Sequence, residues 1–410
     1  MTAGRAQHVV CLATFFKGGA FLRECRGRGA RVTLITREKL ASAEWPYDAL
    51  SDLITVPTGA HPDDYVRAVA RAARSAPVTR VVALEEYDVV TAARAREHLC
   101  LPGLASTAAR YFQDKLATRA RARESGLPVP DFTGVFNPSE IDAFLARTEG
   151  PWMLKPRVGA SAMGMKKLDA REEVWHALAA LDSRAVEMER PEHHLVEQFI
   201  PGEVFHVDSL TANGRIVFSC AARYGRPPLS VAHGGGVSTS HTVKRGSAVE
   251  RSLLALNRKV LAAFGFRDGT THAEFIRADA DGRLYLLEVA ARVGGAHTAE
   301  EVEAATGVNV WREWARIETA TEERPYELPA AARAGYGGVV ISLAREEWPD
   351  TSDFDDPEIV FRVAKPWHVG LVIGSTDHGR VVSLLADYER RFAERFAASA
   401  PPEETPTQHL

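Results

Sequence analysis

The chain has 410 residues, 45% of them apolar and 25% charged, with a formal net charge of −4. That length supports about two to four domains, and so small a charge gives no electrostatic pull toward nucleic acid. No apolar run approaches the ~18 residues of a membrane span, and the start, MTAGRAQHVVCLA, runs into a strand pattern without a secretory layout.

Residues 8–13, 31–36, 52–56 and 80–84 are short β-branched runs, separated by helix-compatible segments at 19–29, 62–74 and 88–98. This alternation predicts a parallel sheet covered by helices, here a first α/β domain over 1–105. Its first turn, Phe16-Lys17-Gly18-Gly19, is not G-x-G-x-x-G, so no dinucleotide fingerprint is present. The four cysteines, Cys11, Cys25, Cys100 and Cys220, are scattered without C-x-x-C spacing and read as reduced thiols of a cytoplasmic protein.

Residues 106–127 read as one helix carrying Asp114-Lys115, and the Pro128-Val129-Pro130 stretch after it forces an extended link. Asn137-Pro138-Ser139-Glu140 opens a further helix ending near Gly150. In LKPRVGASAMG (154–164) a strand delivers Lys155, and Gly159, Ser161 and Gly164 then punctuate a loop. Backbone N–H groups of such a loop can approach phosphate oxygens closely. It is not a Walker A loop, because Met165 follows Gly164 where that motif needs lysine. A plain glycine-rich hairpin with a surface lysine is the competing reading.

VEQFIPGE (196–203) is a strand ending in Pro-Gly, whose backbone suits an adenine edge and whose carboxylates suit ribose hydroxyls. The strands that follow, 204–212 and 215–222, flank Asn213-Gly214, a hairpin turn signal. Residues 223–246, rich in Gly, Arg and Ser, read as a long functional loop. Residues 247–264 show helical periodicity.

HAEFIRADADGRLYLLEVAARVGG (272–295) then reads as a hairpin around Asp281-Gly282. With a three-residue loop, Ala280-Asp281-Gly282, Glu274 faces Glu288 on the face that also carries Ile276, Ala278, Leu284 and Leu286. A two-residue turn would instead set Glu274 opposite Val289. Two opposed carboxylates on a buried face repel and are costly to desolvate, and a divalent cation between them removes both problems. A helix is expected near 298–318, strands at 337–343, 358–364 and 369–374, a last helix near 382–397, and a disordered tail at 401–410.

Four pieces thus stand in order: Asp114-Lys115; Lys155-Pro156 with its glycine loop; Glu197 to Glu203; and Glu274 with Glu288-Val289-Ala290-Ala291-Arg292. This order resembles the ATP-grasp superfamily of carboxylate–amine ligases, and most closely its L-amino-acid ligase branch. The resemblance implies an α/β (α+β) fold: an N-terminal parallel-sheet domain (1–105), a small lid (106–190), a larger antiparallel-sheet unit (191–320) and a C-terminal subdomain (321–400). It implies that Lys115 and Lys155 meet the phosphates under the Gly159–Gly164 loop. It sets Glu197, Gln198, Phe199 and Ile200 by the adenine and Glu203 by the ribose, one place early against the commoner spacing.

Glu274 and Glu288 would bind Mg2+, with Mn2+ as a substitute. Ala290 stands where the commoner E-x-N-x-R pattern has Asn. Arg292 would neutralise the transferring phosphoryl group. His241, in Ser238-Thr239-Ser240-His241-Thr242, would border the amino-acid pocket as a base, alongside Arg223, Arg226, Gly294 and Gly295. The implied reaction is ATP-dependent amide formation through an acyl phosphate, in a cytoplasmic protein with a homodimer as a family-level expectation. The alternatives are a ligase or carboxylase of a different small acid, and a non-catalytic ATP-binding sensor.

Overall fold

A computed structural model describes residues 7–159, 162–183, 190–328 and 334–398. Ser161 and the 401–410 tail lie outside the described residues. Among the described residues no helix is long and apolar enough to cross a membrane.

The chain opens with β1 (His8–Ala13), α1 (Gly19–Gly27), β2 (Arg31–Arg37), β3 (Asp52–Val56), α2 (Pro62–Ser75), β4 (Arg80–Ala83) and α3 (Val89–His98). The four strands form a parallel sheet in the order β3-β2-β1-β4, as the alternation predicts. Every residue of β1 is buried, as expected of a central parallel strand covered on both faces.

The helix expected over 106–127 is two, α4 (Ser106–Arg110) and α5 (Lys115–Glu124). Asp114 sits between them in extended backbone and caps α5, accepting from the Leu116 and Ala117 amides. The cap fixes where α5 begins, and so where Lys115 points.

A four-stranded sheet follows, built from β5 (Phe132–Gly134), β6 (Trp152–Pro156), β7 (Lys166–Leu168) and β8 (His194–Gln198), in the order β5-β8-β6-β7. Two helices, α6 (Pro138–Arg147) and α7 (Arg171–Asp182), bury Phe144 and Leu178 against Trp152, Leu154 and Val196 of this sheet. Strand alternation then turns Met153, Lys155 and Glu197 to the other face.

The remaining strands are β9 (Gly202–Ala212), β10 (Arg215–Tyr224), β11 (Ser238–Thr242), β12 (Gly269–Ala278), β13 (Leu284–Ala290), β14 (Tyr336–Leu343), β15 (Ile359–Arg362) and β16 (His368–Ser375). They form one sheet, β13-β12-β9-β10-β11-β14-β16-β15, so the strands of 321–400 extend the sheet begun in 191–320. The expected long loop at 223–246 contains a short helix, α8 (Pro228–Gly234), and β11 itself. Glycine and serine mask β11 in the sequence, but Thr239, Ser240 and Thr242 are buried and the strand pairs with β10 and β14.

Helices cover both faces of the large sheet. On one face α9 (Ala248–Ala263) buries Leu253, Val260 and Leu261 against Phe205, Val207, Ala273, Phe275, Leu286 and Val289. On the other, α10 (Thr298–Thr306) and α11 (Val310–Glu318) pack Val302, Trp314 and Ala315 against Leu210, Cys220 and the N-terminal helix α1. The single helix expected near 298–318 breaks at Gly307, which takes a left-handed φ of 73°. A last helix, α12 (His378–Arg395), closes the β14–β16 end.

Candidate active site

The site is built on the β12–β13 hairpin. Glu274 stands directly opposite Glu288. The route to that pairing differs from the expected one. The turn holds four residues, with Ala278 bonded to Arg283, and Phe275 pairs with Leu286. Leu287 is then an extra residue, a β-bulge that restores the opposition of the two acids. Because of it, Leu284 and Leu286 do not share the glutamates' face; they pack with Phe275 against the α9 layer.

The two carboxylate side chains keep 24% and 23% exposure, so a ligand can reach both. Glu288 lies 3.2 Å from Lys115 Nζ, which also donates to the Gly159 carbonyl at 2.6 Å. Burial works to lower the Lys115 ammonium, but Glu288 and Glu86 outweigh it and hold its pKa above the ordinary range. The Tyr224 hydroxyl donates to Glu274 at 2.9 Å. Burial would raise the Glu274 carboxyl; hydrogen bonds from His272 and Tyr224 instead hold it below its ordinary value.

From the small sheet, Lys155 reaches Glu197, whose other oxygen takes the Arg119 guanidinium at 2.9 Å. Arg119 lies one turn along α5 from Lys115, so both cations face the same way. Arg119 is fully buried, and burial also depresses the Lys155 ammonium, partly offset by Glu197. Two cations on one acid leave this cluster, taken alone, one positive charge in excess. Asp114 holds Arg157, two residues beyond Lys155, at 2.5 Å. Gly159 and Gly164 both take positive φ, 155° and 67°.

The Gln198 and Phe199 amides bond to Asp131 and Pro151, which fixes the stretch that carries Ile200 into β9. Arg292 is 8% exposed and binds Glu86 through Nε at 3.2 Å and Nη2 at 2.5 Å. Glu85, beside it, takes Lys17 at 2.5 Å. Both acids follow directly on β4, in LEEYD, and bring the N-terminal domain into the site. Acids at the carboxyl end of a parallel strand were the available sequence signal for them.

Not all of the other expected residues lie on the Glu274 face. Strand register puts Glu274, His206, Ala222 and Thr242 in one row, and Phe275, Phe205, Arg223 and His241 in the row facing the opposite side. His241 therefore sits on the α12 side, with His378 at 5.7 Å between ring centroids. Burial and the neighbouring His378 and Arg223 charges lower its pKa to about 4. Arg223 pairs with Glu203 at 3.0 Å, and Arg277 also binds that carboxylate, so the acid expected at the ribose is engaged by two guanidiniums. Arg226 is exposed beside Gly236. Gly294 lies against the His272 ring, and Gly295 follows it.

Behind Glu274 lies a buried network absent from the sequence reading. Asp208 accepts from His206 Nδ1 at 2.7 Å and from His272 Nδ1 at 2.9 Å. His206 Nε2 meets Ser240 Oγ at 2.9 Å. A cavity of about 680 Å³ lies away from all this, toward the start of β4, lined by Arg80, Arg96, Asp268, Trp314 and Tyr326. None of the described site residues lines it.

A parallel-sheet domain, a small sheet over a large antiparallel one, and paired acids under lysines define the ATP-grasp class. Residues 148–300 match the family model of the ATP-grasp domain and residues 23–103 that of the ATP-grasp N-terminal domain. The chain belongs to the ATP-grasp superfamily. It is 25% identical over 297 residues to the L-arginine-specific L-amino acid ligase of Bacillus subtilis, spanning 70% of each protein. It is 29% identical over 186 residues to the D-alanine–D-alanine ligase of Pseudomonas putida (strain GB-1), 43% of this chain and 53% of that one. Among solved structures, the L-amino acid ligase from Bacillus licheniformis superposes with a TM-score of 0.74 at 18% identity, covering 95% of this chain and 98% of that one. N5-carboxyaminoimidazole ribonucleotide synthetase from Thermus thermophilus gives 0.70 at 20% identity, covering 93% and 98%.

Proposed function

We propose that the chain is an ADP-forming carboxylate–amine ligase that joins amino acids through an acyl phosphate. The observation that carries this reading is Glu274 directly opposite Glu288, with Lys115 on the second carboxylate. Two opposed, partly open carboxylates are a donor set suited to Mg2+, and they would hold it with Mn2+ as a substitute. The metal supplies charge neutralisation along the phosphates. Ala290 is 1% exposed and carries no donor, so the chain brings two carboxylates and no third side-chain ligand from this segment.

The rest of the chemistry falls to the chain's own groups. Lys115 and Lys155 bind phosphate oxygens, exchanging the carboxylates they now hold. The Gly159–Gly164 turn closes over them and excludes water from the acyl phosphate. The first substrate's carboxylate attacks the γ-phosphate and ADP leaves; Arg292, fixed by Glu86, neutralises the transferring group. The second substrate's amine then attacks the acyl carbon, and inorganic phosphate leaves. The adenine lies along Glu197–Ile200, and Gly294 and Gly295 give backbone room beside the substrates. The reading includes a cytoplasmic location and a homodimer.

The test is a screen of amino-acid pairs for ADP formation, with the amide product identified by mass. ADP and amide in equal amounts, dependent on both amino acids, is the expected result. Tight ATP binding with no amino-acid-dependent ADP across the screen overturns the reading. It would favour the ATP sensor, for which the donorless Ala290 is the supporting observation.

A further inference from the structure

We propose that His272, clamped by Asp208, is a positioning residue that fixes the metal-binding carboxylate of Glu274 and the Gly294 loop in one arrangement. The inference rests on the reading of Glu274 as a metal ligand.

His272 and Glu274 alternate along β12 and so share a face, and Asp208 is the residue opposite His272 on β9. Asp208 is 3% exposed and grips His272 Nδ1 at 2.9 Å, which fixes the ring plane. The far edge of the ring then faces forward: Nε2 lies 3.5 Å from the Tyr224 hydroxyl and 3.6 Å from Glu274 Oε1. Tyr224 in turn donates to that same oxygen at 2.9 Å. Glu274 is thereby held on Oε1 from two sides.

The other side of the ring meets the substrate loop. A Cβ built on Gly294 would come 2.6 Å from His272 Nδ1 and 2.3 Å from Thr298 Oγ1. Only glycine fits, so the Gly294 backbone lies directly against the ring. One imidazole thus touches both the metal-binding carboxylate and the segment beside the substrates. His206 braces Asp208 from behind, and Ser240, bonded to His206, donates to Glu301 of α10 at 3.3 Å.

His206, Asp208 and His272 also bring their donor atoms within 4.8 Å of one another, as in a metal site. The hydrogen bonds decide against that assignment. Each Asp208 oxygen already faces one imidazole Nδ1, and the remaining nitrogens face Ser240 and the Tyr224–Glu274 pair. Every donor atom of the three has a protein partner that a cation would have to displace.

The test measures Mn2+ binding to the protein with a non-hydrolysable ATP analogue by electron paramagnetic resonance, together with the Mg2+ dependence of ADP formation. His272→Gln is expected to weaken Mn2+ binding by about ten- to hundredfold, the usual effect of removing a partner of a metal-binding side chain. The Mg2+ requirement should rise by the same factor, with kcat recovering as metal saturates. Asp208→Asn should move both in the same direction by less. A lowered unfolding temperature with unchanged metal constants would show a merely structural role and overturn the proposal.

Should His272→Gln fail to fold, Tyr224→Phe decides: weaker Mn2+ binding is expected, and wild-type binding overturns the proposal. Glu274→Gln separates the two readings. If it leaves Mn2+ binding intact, the metal reading itself falls. If it weakens binding while His272→Gln does not, only this inference falls. One equivalent of zinc that survives chelation in the wild type and is lost in His206→Ala would also overturn it, by making the three residues ligands themselves.

Discussion

Lys155, Arg119 and Glu197 form a buried cluster with one more cation than anion. Removing Arg119 would leave Lys155 and Glu197 paired, whereas removing Lys155 leaves Glu197 its Arg119 partner and takes away one of the two lysines assigned to the phosphates. Lys155→Ala should therefore fold and chiefly weaken ATP binding. One charge-assisted hydrogen bond is worth about 1.5–3 kcal/mol, or roughly ten- to hundredfold in affinity. Isothermal titration with ATP checks this, and an unchanged affinity takes Lys155 out of the phosphate site. Glu288→Gln should act differently, cutting kcat by about 10²–10³ as loss of a transition-state electrostatic group does, while Lys115 keeps a neutral partner and the fold holds. Wild-type kcat in that variant would count against the carboxylate pair. The opposition of the two glutamates was legible in the sequence because an Asp-Gly turn between strand patterns fixes register approximately. The bulge at Leu287 was not legible: it offsets the four-residue turn, and nothing in LYLLEVA marks the extra residue. His241 and Arg223 show the complementary failure. Their face depends on pairing with β11, and a strand read as loop has no register to reason from.

At the scale of elements, the carboxyl ends of β1 and β4 are joined by Asp88, whose carboxylate accepts the Thr14 amide at 2.8 Å and its hydroxyl at 3.2 Å. It is 2% exposed, and burial pushes its pKa from the ordinary 3.8 up to about 7, against the pull of the Thr14 hydrogen bonds. The sign of the linkage follows. A folded pKa above the unfolded one means that Asp88's contribution is full below about pH 4 and is lost as pH rises through about 7. Asp88→Asn keeps an acceptor for Thr14 and removes the titration. Its unfolding free energy, from urea melts between pH 4.5 and 8, should fall less with rising pH than that of the wild type. Three pKa units set an upper limit of roughly 4 kcal/mol on the difference at pH 8. Parallel profiles for the two proteins would show that Asp88 does not titrate in this window. The strands and helices of this N-terminal sheet were readable to within a residue or two, since each is a simple apolar run or an amphipathic stretch. The breaks at Asp114 and Gly307 were not, because helical periodicity continues across both and only the backbone at the cap reveals the interruption.

For the whole molecule, Lys115 joins Gly159, beyond the small sheet's β6, to the large sheet's Glu288, and the N-terminal domain adds Glu85 and Glu86. The layer order was legible because strand patterns change from βα alternation to hairpins along the chain. The single eight-stranded sheet was less so, since β14–β16 join it across more than ninety intervening residues, as in the Ser240–Val339 pair, and only long-range pairing reveals that. A nucleotide bound between the two sheets ties them together, so binding should stabilise the molecule as a whole. At a hundredfold excess over Kd the gain is about 2.7 kcal/mol. A chain of this size has a larger unfolding entropy than the 150–250-residue domains in which 1 kcal/mol shifts Tm by ~2–4 °C, so a rise of about 3–5 °C is expected. Differential scanning fluorimetry with a non-hydrolysable ATP analogue, in Mg2+ and in EDTA, divides that rise into its parts. The wild type should show a small shift in EDTA, from Lys115 and Lys155, and a larger one with Mg2+. Glu288→Gln should keep the first and lose the increment. Equal shifts for the wild type in Mg2+ and EDTA would separate the glutamate pair from the nucleotide, because a cation shared between protein and phosphates must couple the two bindings.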